Sequence, residues 1–220
     1  EGPALTLSGP GLKAPREFRC IGLPHGFAQI WAANHALFPR GVDLILCAGD
    51  FTDFGGKADI LAMNQLARAL YSPVLEADAR RPANTTRFVY LNPEAAERFF
   101  VDYDQIARDA AAMLRLEAGR NPSDEDLIAL VGELSTRSEL FRQRWASQDV
   151  RFHRSGRKRL RHPVVGQLDL DFEALELPAE PGLQLNIYTA AAGTPTADAL
   201  KLLASWAASQ ESLATERPRS

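Results

Sequence analysis

Near Val150 the hydrophobic period of this chain changes from about 3.6 residues to 2. That change constrains the fold more than any other feature, because a helix and a half-buried strand space their core-facing side chains differently. Before it, Asp102 to Gly119 sets Ile106, Ala110, Met113 and Leu114 on one helical face, and Gly119 is a natural stop. Asn121-Pro122-Ser123 punctuates the chain, Ser123 is placed to cap a second helix, and Leu127, Leu130, Val131 and Leu134 share its face. Ser138 to Ser147 predicts a third helix, with Phe141 and Trp145 on one side. After the change, Leu168, Leu170 and Phe172 alternate with Gln167, Asp169 and Asp171, and Leu183, Leu185 and Ile187 alternate with Gln184 and Asn186. These read as half-buried antiparallel strands.

The rest of the chain fits around that division. Ala4 to Leu7 and Val42 to Leu46 are strand-like, Gly9-Pro-Gly11 is a turn, and Phe27 to Leu37 can be helical. Asp50 to Lys57 offers a hairpin turn into the apolar segment Ala58 to Met63, and Asn64 can cap a short helix from Gln65 to Tyr71. A closing helix from about Thr196 to Ser209 carries Leu200, Leu203, Ala204 and Ala207, and the polar tail from Glu211 is expected to fray. Helices followed by antiparallel strands and a closing helix predict an α+β domain, a helical layer over one sheet, with room for a pocket between the layers.

Composition narrows the function classes. With 45% hydrophobic residues, 24% charged residues and a formal charge of -3, the chain reads as an ordinary soluble protein with no electrostatic bias toward nucleic acid. The run Val42 to Ala48, broken by Asp43, is too short to span a membrane, no signal-peptide pattern opens the chain, and a cytoplasmic location is expected. Cys20 and Cys47 are too few for a disulfide framework, so reduced, buried thiols are expected.

The chemistry-bearing residues are sparse. His25, His35, His153 and His162 show no metal-ligand spacing, so neither a metal nor any other cofactor is expected. His162, before Pro163, suits a backbone hydrogen bond better than acid-base work. Ser135 and Ser138 lie in no GxSxG elbow and suit helix capping, and Gly9-Pro-Gly11 and Gly55-Gly56 lack the Lys-Ser/Thr of a phosphate loop. No catalytic residue is nominated. Arg151, Arg154, Arg157, Lys158, Arg159 and Arg161 form a basic run that either meets phosphates or an acidic ligand head, or forms a solvated hairpin around Ser155-Gly156. The hairpin is the better reading, because no aromatic residues interleave the charges. Phe88, Met113, Phe141, Trp145, Phe172 and Tyr188 either line an apolar pocket or fill a core.

Two resemblances add to this reading. The segment with Ala58-Asp-Ile-Leu-Ala-Met-Asn64, Asn84, Arg87-Phe88, Leu114-Arg115, Glu133-Leu-Ser135, Ser138, Phe141-Arg142, Trp145, His162-Pro-Val-Val-Gly166 and Tyr188-Thr189 resembles the MmyB-like ligand-binding domains of helix-turn-helix transcription regulators. Met63 and Tyr103 stand where that family commonly has Trp. The resemblance implies a PAS-like fold over about residues 56–208, a fatty-acid-like or other apolar ligand, and control of DNA through an attached helix-turn-helix domain. No helix-turn-helix pattern is found in residues 1–55, so DNA contact by this chain alone is not expected. The ligand-binding residues so implied are Met63, Arg87, Phe88, Met113, Arg115, Phe141, Trp145, His162 and Tyr188. Phe141 and Trp145, expected opposite the strands at Leu168 and Ile187, would touch a lipid chain, and Arg87 or Arg115 would meet its carboxylate.

The segment with Leu5-Thr-Leu-Ser-Gly-Pro-Gly11, Gly22-Leu-Pro24 and Phe38-Pro-Arg-Gly-Val-Asp-Leu-Ile-Leu46 resembles the C-terminal end of PhnH, a subunit of the carbon-phosphorus lyase system for phosphonates. The expected organisation is a PhnH-like, β-rich fragment over residues 1–55, the PAS-like domain over 56–208 and a frayed tail over 209–220. In such a fusion, natural or an assembly artefact, Leu44 to Phe51 can pair with Ala58 to Met63. The expected function is non-catalytic ligand sensing. The alternatives are a protein-interaction or dimerisation module that binds no ligand, with a homodimer as its expected form, and a fused remnant of a phosphonate carbon-phosphorus lyase subunit.

Overall fold

The computed structural model describes residues 4–7, 16–19, 45–49, 58–147, 155–176 and 184–216. The expected helix at Phe27 to Leu37, the turns at Gly9 to Gly11 and Asp50 to Lys57, Cys20, His25, His35, His153, Arg151 and Arg154 lie outside the described residues, as does the side chain of Cys47. In chain order the elements are β1 (Ala4–Leu7), β2 (Arg16–Arg19), β3 (Ile45–Gly49), β4 (Asp59–Ile60), β5 (Ala62–Met63), α1 (Gln65–Leu70), α2 (Ser72–Ala77) and β6 (Ala83–Asn84). Then follow α3 (Thr85–Leu91), α4 (Pro93–Phe99), α5 (Tyr103–Arg120), α6 (Glu125–Arg137), α7 (Glu139–Ala146), β7 (Ser155–His162), β8 (Gly166–Glu176), β9 (Gln184–Thr189) and α8 (Pro195–Glu216).

Five strands form one antiparallel sheet in the order β5-β3-β9-β8-β7, while β1 pairs with β2 and β4 with β6. The α+β expectation is met, with the helices inserted between the second and third strands of the large sheet. The expected pairing of Leu44 to Phe51 with Ala58 to Met63 is seen as Cys47 opposite Met63 and Ala48 opposite Ala62. The other edge of β3 pairs with β9 over five residues, from Ile45–Tyr188 to Gly49–Gln184. The apolar segment Ala58 to Met63 is split, because Asp59 and Ile60 pair with β6 instead.

Local signals explain most helix boundaries. Asn64 Oδ1 accepts the Ala67 amide at 2.7 Å, Asn84 Oδ1 accepts that of Arg87 at 2.8 Å, and Ser138 Oγ accepts that of Phe141 at 3.2 Å, each satisfying a first-turn donor. The cap of α6 is Asp124, whose Oδ1 accepts the Leu127 amide at 3.1 Å, rather than Ser123, and Ser135 lies within α6 instead of capping a helix. An Asp at that position also favours the positive end of the helix dipole. The closing helix runs past Ser209 to Glu216.

The basic run does not turn at Ser155-Gly156. Those residues open β7, and the chain reverses after His162, where Gly166 takes a φ of +76° that a side chain would strain. Strand parity then sorts the sheet's two faces. Tyr188 and His162 reach the α1 region, so Lys158, Leu160, His162, Leu168, Leu170, Phe172, Asn186 and Tyr188 face the helices. Arg157, Arg159, Arg161, Asp169, Asp171 and Glu173 lie on the opposite, exposed face. The core fills the space between: Leu70, Tyr71, Leu134, Phe141, Leu160, Leu168, Leu170, Tyr188, Leu200 and Leu203 have no accessible surface. Each contributes about 1.5–3 kcal/mol of burial free energy.

Candidate functional site

The nominated residues separate into two groups, one in the helical layer and one on the inner sheet wall. In the helical layer, Phe141 of α7 stacks on Trp145 with ring centroids 5.4 Å apart and meets Tyr90 of α3 edge-on at 4.9 Å. The Arg115 guanidinium of α5 lies 5.1 Å from the Trp145 ring centroid, and its Nη2 donates to the Arg144 carbonyl at 3.4 Å. Arg115 Nη1 and Arg144 Nε are buried with no hydrogen-bond partner. Met113 is buried on α5. This seam ties α5 to α7, and Phe141 and Trp145 make their ring contacts within it. The expectation that both face the strands at Leu168 and Ile187 is corrected on a further ground: Leu168 and Ile187 lie on opposite faces of the sheet.

Arg87 has a different fate. Its Nε donates to Glu133 Oε2 at 2.8 Å, and Arg80 and Arg137 converge on Glu133 Oε1 at 2.9 and 2.7 Å. Burial pushes the Glu133 carboxyl up, but hydrogen bonds from the three guanidinium groups outweigh it and hold the carboxyl at about 2. A carboxylate so engaged joins α3 to α6 and leaves Arg87 committed to structure.

On the sheet wall, Tyr71 Oη donates to Tyr188 Oη at 2.9 Å, and Lys158 Nζ donates to the same oxygen at 3.3 Å. Rings continue in contact from Phe172 to Tyr188, Tyr71, Phe99 and Phe88, crossing from the sheet into the helices. Met63 packs at the edge of this core. His162 is buried, with Nε2 donating to the Ala69 carbonyl at 3.0 Å and Nδ1 accepting the Val164 amide at 3.2 Å. Burial lowers its pKa, the Ala69 bond opposing that shift in part, and a neutral Nε2–H ring satisfies both neighbours. The expected backbone hydrogen bond is present, at the end of β7.

Sequence reasoning placed Lys158 in a solvated charge run, whereas it is 5% exposed. The available signal was parity: Lys158 shares the spacing of Leu160 and His162, while Arg157, Arg159 and Arg161 take the other face. Arg159 Nε donates to Asp102 Oδ2 at 2.9 Å, and Arg157 lies 3.7 Å from Asp171. A groove of about 300 Å³ opens among the helices, lined by Tyr90, Leu91, Pro93, Tyr103, Arg137, Ser138, Glu139 and Leu140. Among the described residues, no three His, Cys, Asp or Glu side chains are grouped to hold a metal ion, and no helix is long and apolar enough to cross a membrane.

Residues 54–203, which supply the helical layer and four of the five strands of the large sheet, match the family of MmyB-like transcription regulator ligand binding domains. The chain belongs to that family. In this MmyB-like domain the remaining strand, β3, comes from a segment of different affinity. Residues 1–52 match the bacterial phosphonate metabolism protein PhnH. The PhnH subunit of alpha-D-ribose 1-methylphosphonate 5-triphosphate synthase from Rhizobium meliloti (strain 1021) is 49% identical over 47 residues, which is 21% of this chain and 24% of that protein. The MmyB-like sheet is thus completed by a strand from the PhnH-like stretch.

Proposed function

We propose that this chain is the non-catalytic sensing part of a cytoplasmic helix-turn-helix transcription regulator, taking an apolar, acyl-type small molecule into the interior of a PAS-like domain. The match of residues 54–203 to a regulator ligand-binding domain carries this reading. The five-stranded antiparallel sheet with helices inserted after its second strand supports the PAS-like assignment. Met63, Phe88 and Tyr188 are the proposed contacts for the ligand's apolar body. Met113, Arg115, Phe141 and Trp145 are the proposed contacts of the helical seam, where a buried guanidinium donor lacks a partner. Arg87 and His162, engaged with Glu133 and Ala69, hold the walls of the site. DNA is reached through a helix-turn-helix partner domain.

Native mass spectrometry of the chain purified from bacteria tests the reading, together with melting curves in the presence of dodecanoate. Co-purified acyl molecules, or a rise in melting temperature with added dodecanoate, are expected because a ligand that binds only the folded state stabilises it. Absence of both contradicts the reading.

A further inference from the structure

The outward face of the β7–β8 hairpin carries a ladder of opposite charges that its own strands leave largely open. Arg157, Arg159 and Arg161 stand on β7 and Asp169, Asp171 and Glu173 on β8, all six exposed and, by strand parity, on one face. The register sets Arg157 opposite Asp171 and Arg159 opposite Asp169, an arrangement in which opposite charges stabilise a strand pair. The first pair is loose, with Arg157 Nε 3.7 Å from Asp171 Oδ1. The second does not form: Arg159 turns its Nε and Nη2 to Asp102 at the edge of the sheet, and Asp169 Oδ1 accepts Gln167 Nε2 at 3.4 Å. Arg161 Nη1 reaches only the Arg98 carbonyl, at 3.5 Å. Among the described residues, neither Asp169 nor Glu173 forms an ion pair.

We propose that this face is an interface between two copies of the chain. A row of cations beside a row of anions is complementary to itself once it is turned over. A two-fold axis parallel to the strands and midway between β7 and β8 lays each β7 over the partner's β8. Residues paired across the hairpin share a level along that axis, so Arg157 comes over the partner's Asp171 and Arg159 over the partner's Asp169, and each contact occurs twice. Arg159 keeps Nη1 for this contact, because Asp102 takes Nε and Nη2. An axis perpendicular to the strands sets β7 on β7, arginine over arginine, and repulsion rules it out. Exposed ion pairs are individually weak and a two-stranded face is small, so the dimer is transient and sensitive to salt. The face lies on the side of the sheet away from the helices and leaves the interior open to a ligand. With the regulator role proposed above, a two-fold pair of sensing domains also matches the symmetry with which helix-turn-helix dimers read two half-sites.

Sedimentation velocity of the full chain over a concentration series, at low and at high salt, tests it. Low salt is expected to show a monomer–dimer equilibrium that weakens roughly 10-fold or more at high salt, as exposed charges are screened. Arg157→Glu and Asp171→Arg each set two like-charge contacts in the interface, and each variant alone should dimerise roughly 10-fold or more weakly. An equal mixture of the two variants should form a heterodimer, because the reversed charges then face opposite ones. The double variant, Arg157→Glu with Asp171→Arg, should dimerise by itself, and it decides the question if melting curves show either single variant unfolded. Lys201→Glu, which reverses an exposed charge on α8, leaves the equilibrium unchanged. A chain that stays monomeric at low salt, a dimer that both single variants retain, or a mixture that stays monomeric overturns the interface. None of these results touches the sensing role, which stands or falls on ligand binding.

Discussion

The helical layer and the sheet of this protein are held together by different means. The layer from α3 to α7 is local and self-contained: all of it lies within residues 54–203, its helices are capped by Asn84, Asp124 and Ser138, and Glu133 gathers three arginines. The sheet is assembled from distant parts of the chain. Its strand β3 comes from the PhnH-like stretch and lies between β5 and β9, and its inner wall mixes Leu160, Leu168 and Leu170 with Lys158 and Asn186. The cations differ in their surroundings. Half-buried Arg87 meets a carboxylate that fixes two helices, and buried Lys158 donates to a phenol and lies over two aromatic rings. A polar wall facing rings is a poor way to stabilise a core and a good way to recognise an amphipathic molecule.

Removing residues 1–53 should produce the largest effect. Without β3, the backbone donors and acceptors of β5 and β9 along that edge lose their partners, and the sheet is expected to lose its cooperative melt while helical circular dichroism is partly retained. A cooperative transition with unchanged midpoint in residues 54–220 would show that β3 is dispensable. Next in size, Phe141→Ala empties a fully buried site in the helical layer and should cost about 3–5 kcal/mol by urea denaturation. A smaller loss would mean that Tyr90 and Trp145 close over the gap.

Glu133→Gln tests the electrostatic half of the contrast. The folded carboxyl titrates at about 2 against an ordinary 4.5, so its stabilising effect is fully present above pH 4.5 and is lost as pH falls from there toward 2. Allowing for solvent screening, the substitution should cost about 1–2 kcal/mol at pH 7 and flatten the acid limb of the stability profile. His162 gives the smallest expected effect, on the sheet side. Its pKa is lower folded than unfolded, so the native state binds fewer protons and stability falls as pH drops below the ordinary value of 6.5. The urea midpoint should be lower at pH 5.5 than at pH 7.5, and His162→Gln should narrow the difference. An unchanged difference in that variant would assign the pH dependence to another group.

How much of this was legible in the sequence follows from the same contrast. The helices α5 to α7 could be read because each repeats its apolar face over two turns or more, and β8 because Leu168, Leu170 and Phe172 alternate over a long strand. The short helices α2 to α4 hold six or seven residues each, too few for a period to stand out, although Asn84 and Pro93 mark two of their starts. In β7 only Leu160 is apolar at an inward position among Lys158 and His162, so the charges hid the alternation and with it the buried lysine. Of the proposed contacts, Phe141, Trp145 and Arg115 do come together. Their placement against the strands failed because the covering face of α7 is decided by α5 and Tyr90, a tertiary choice that helical spacing alone does not contain.

The most direct test of an acyl site in the domain's interior is amide hydrogen exchange with and without dodecanoate. The account predicts slowed exchange in β9, around Tyr71 and in the Arg115–Trp145 seam of α5 and α7. No protection in any of these would contradict it.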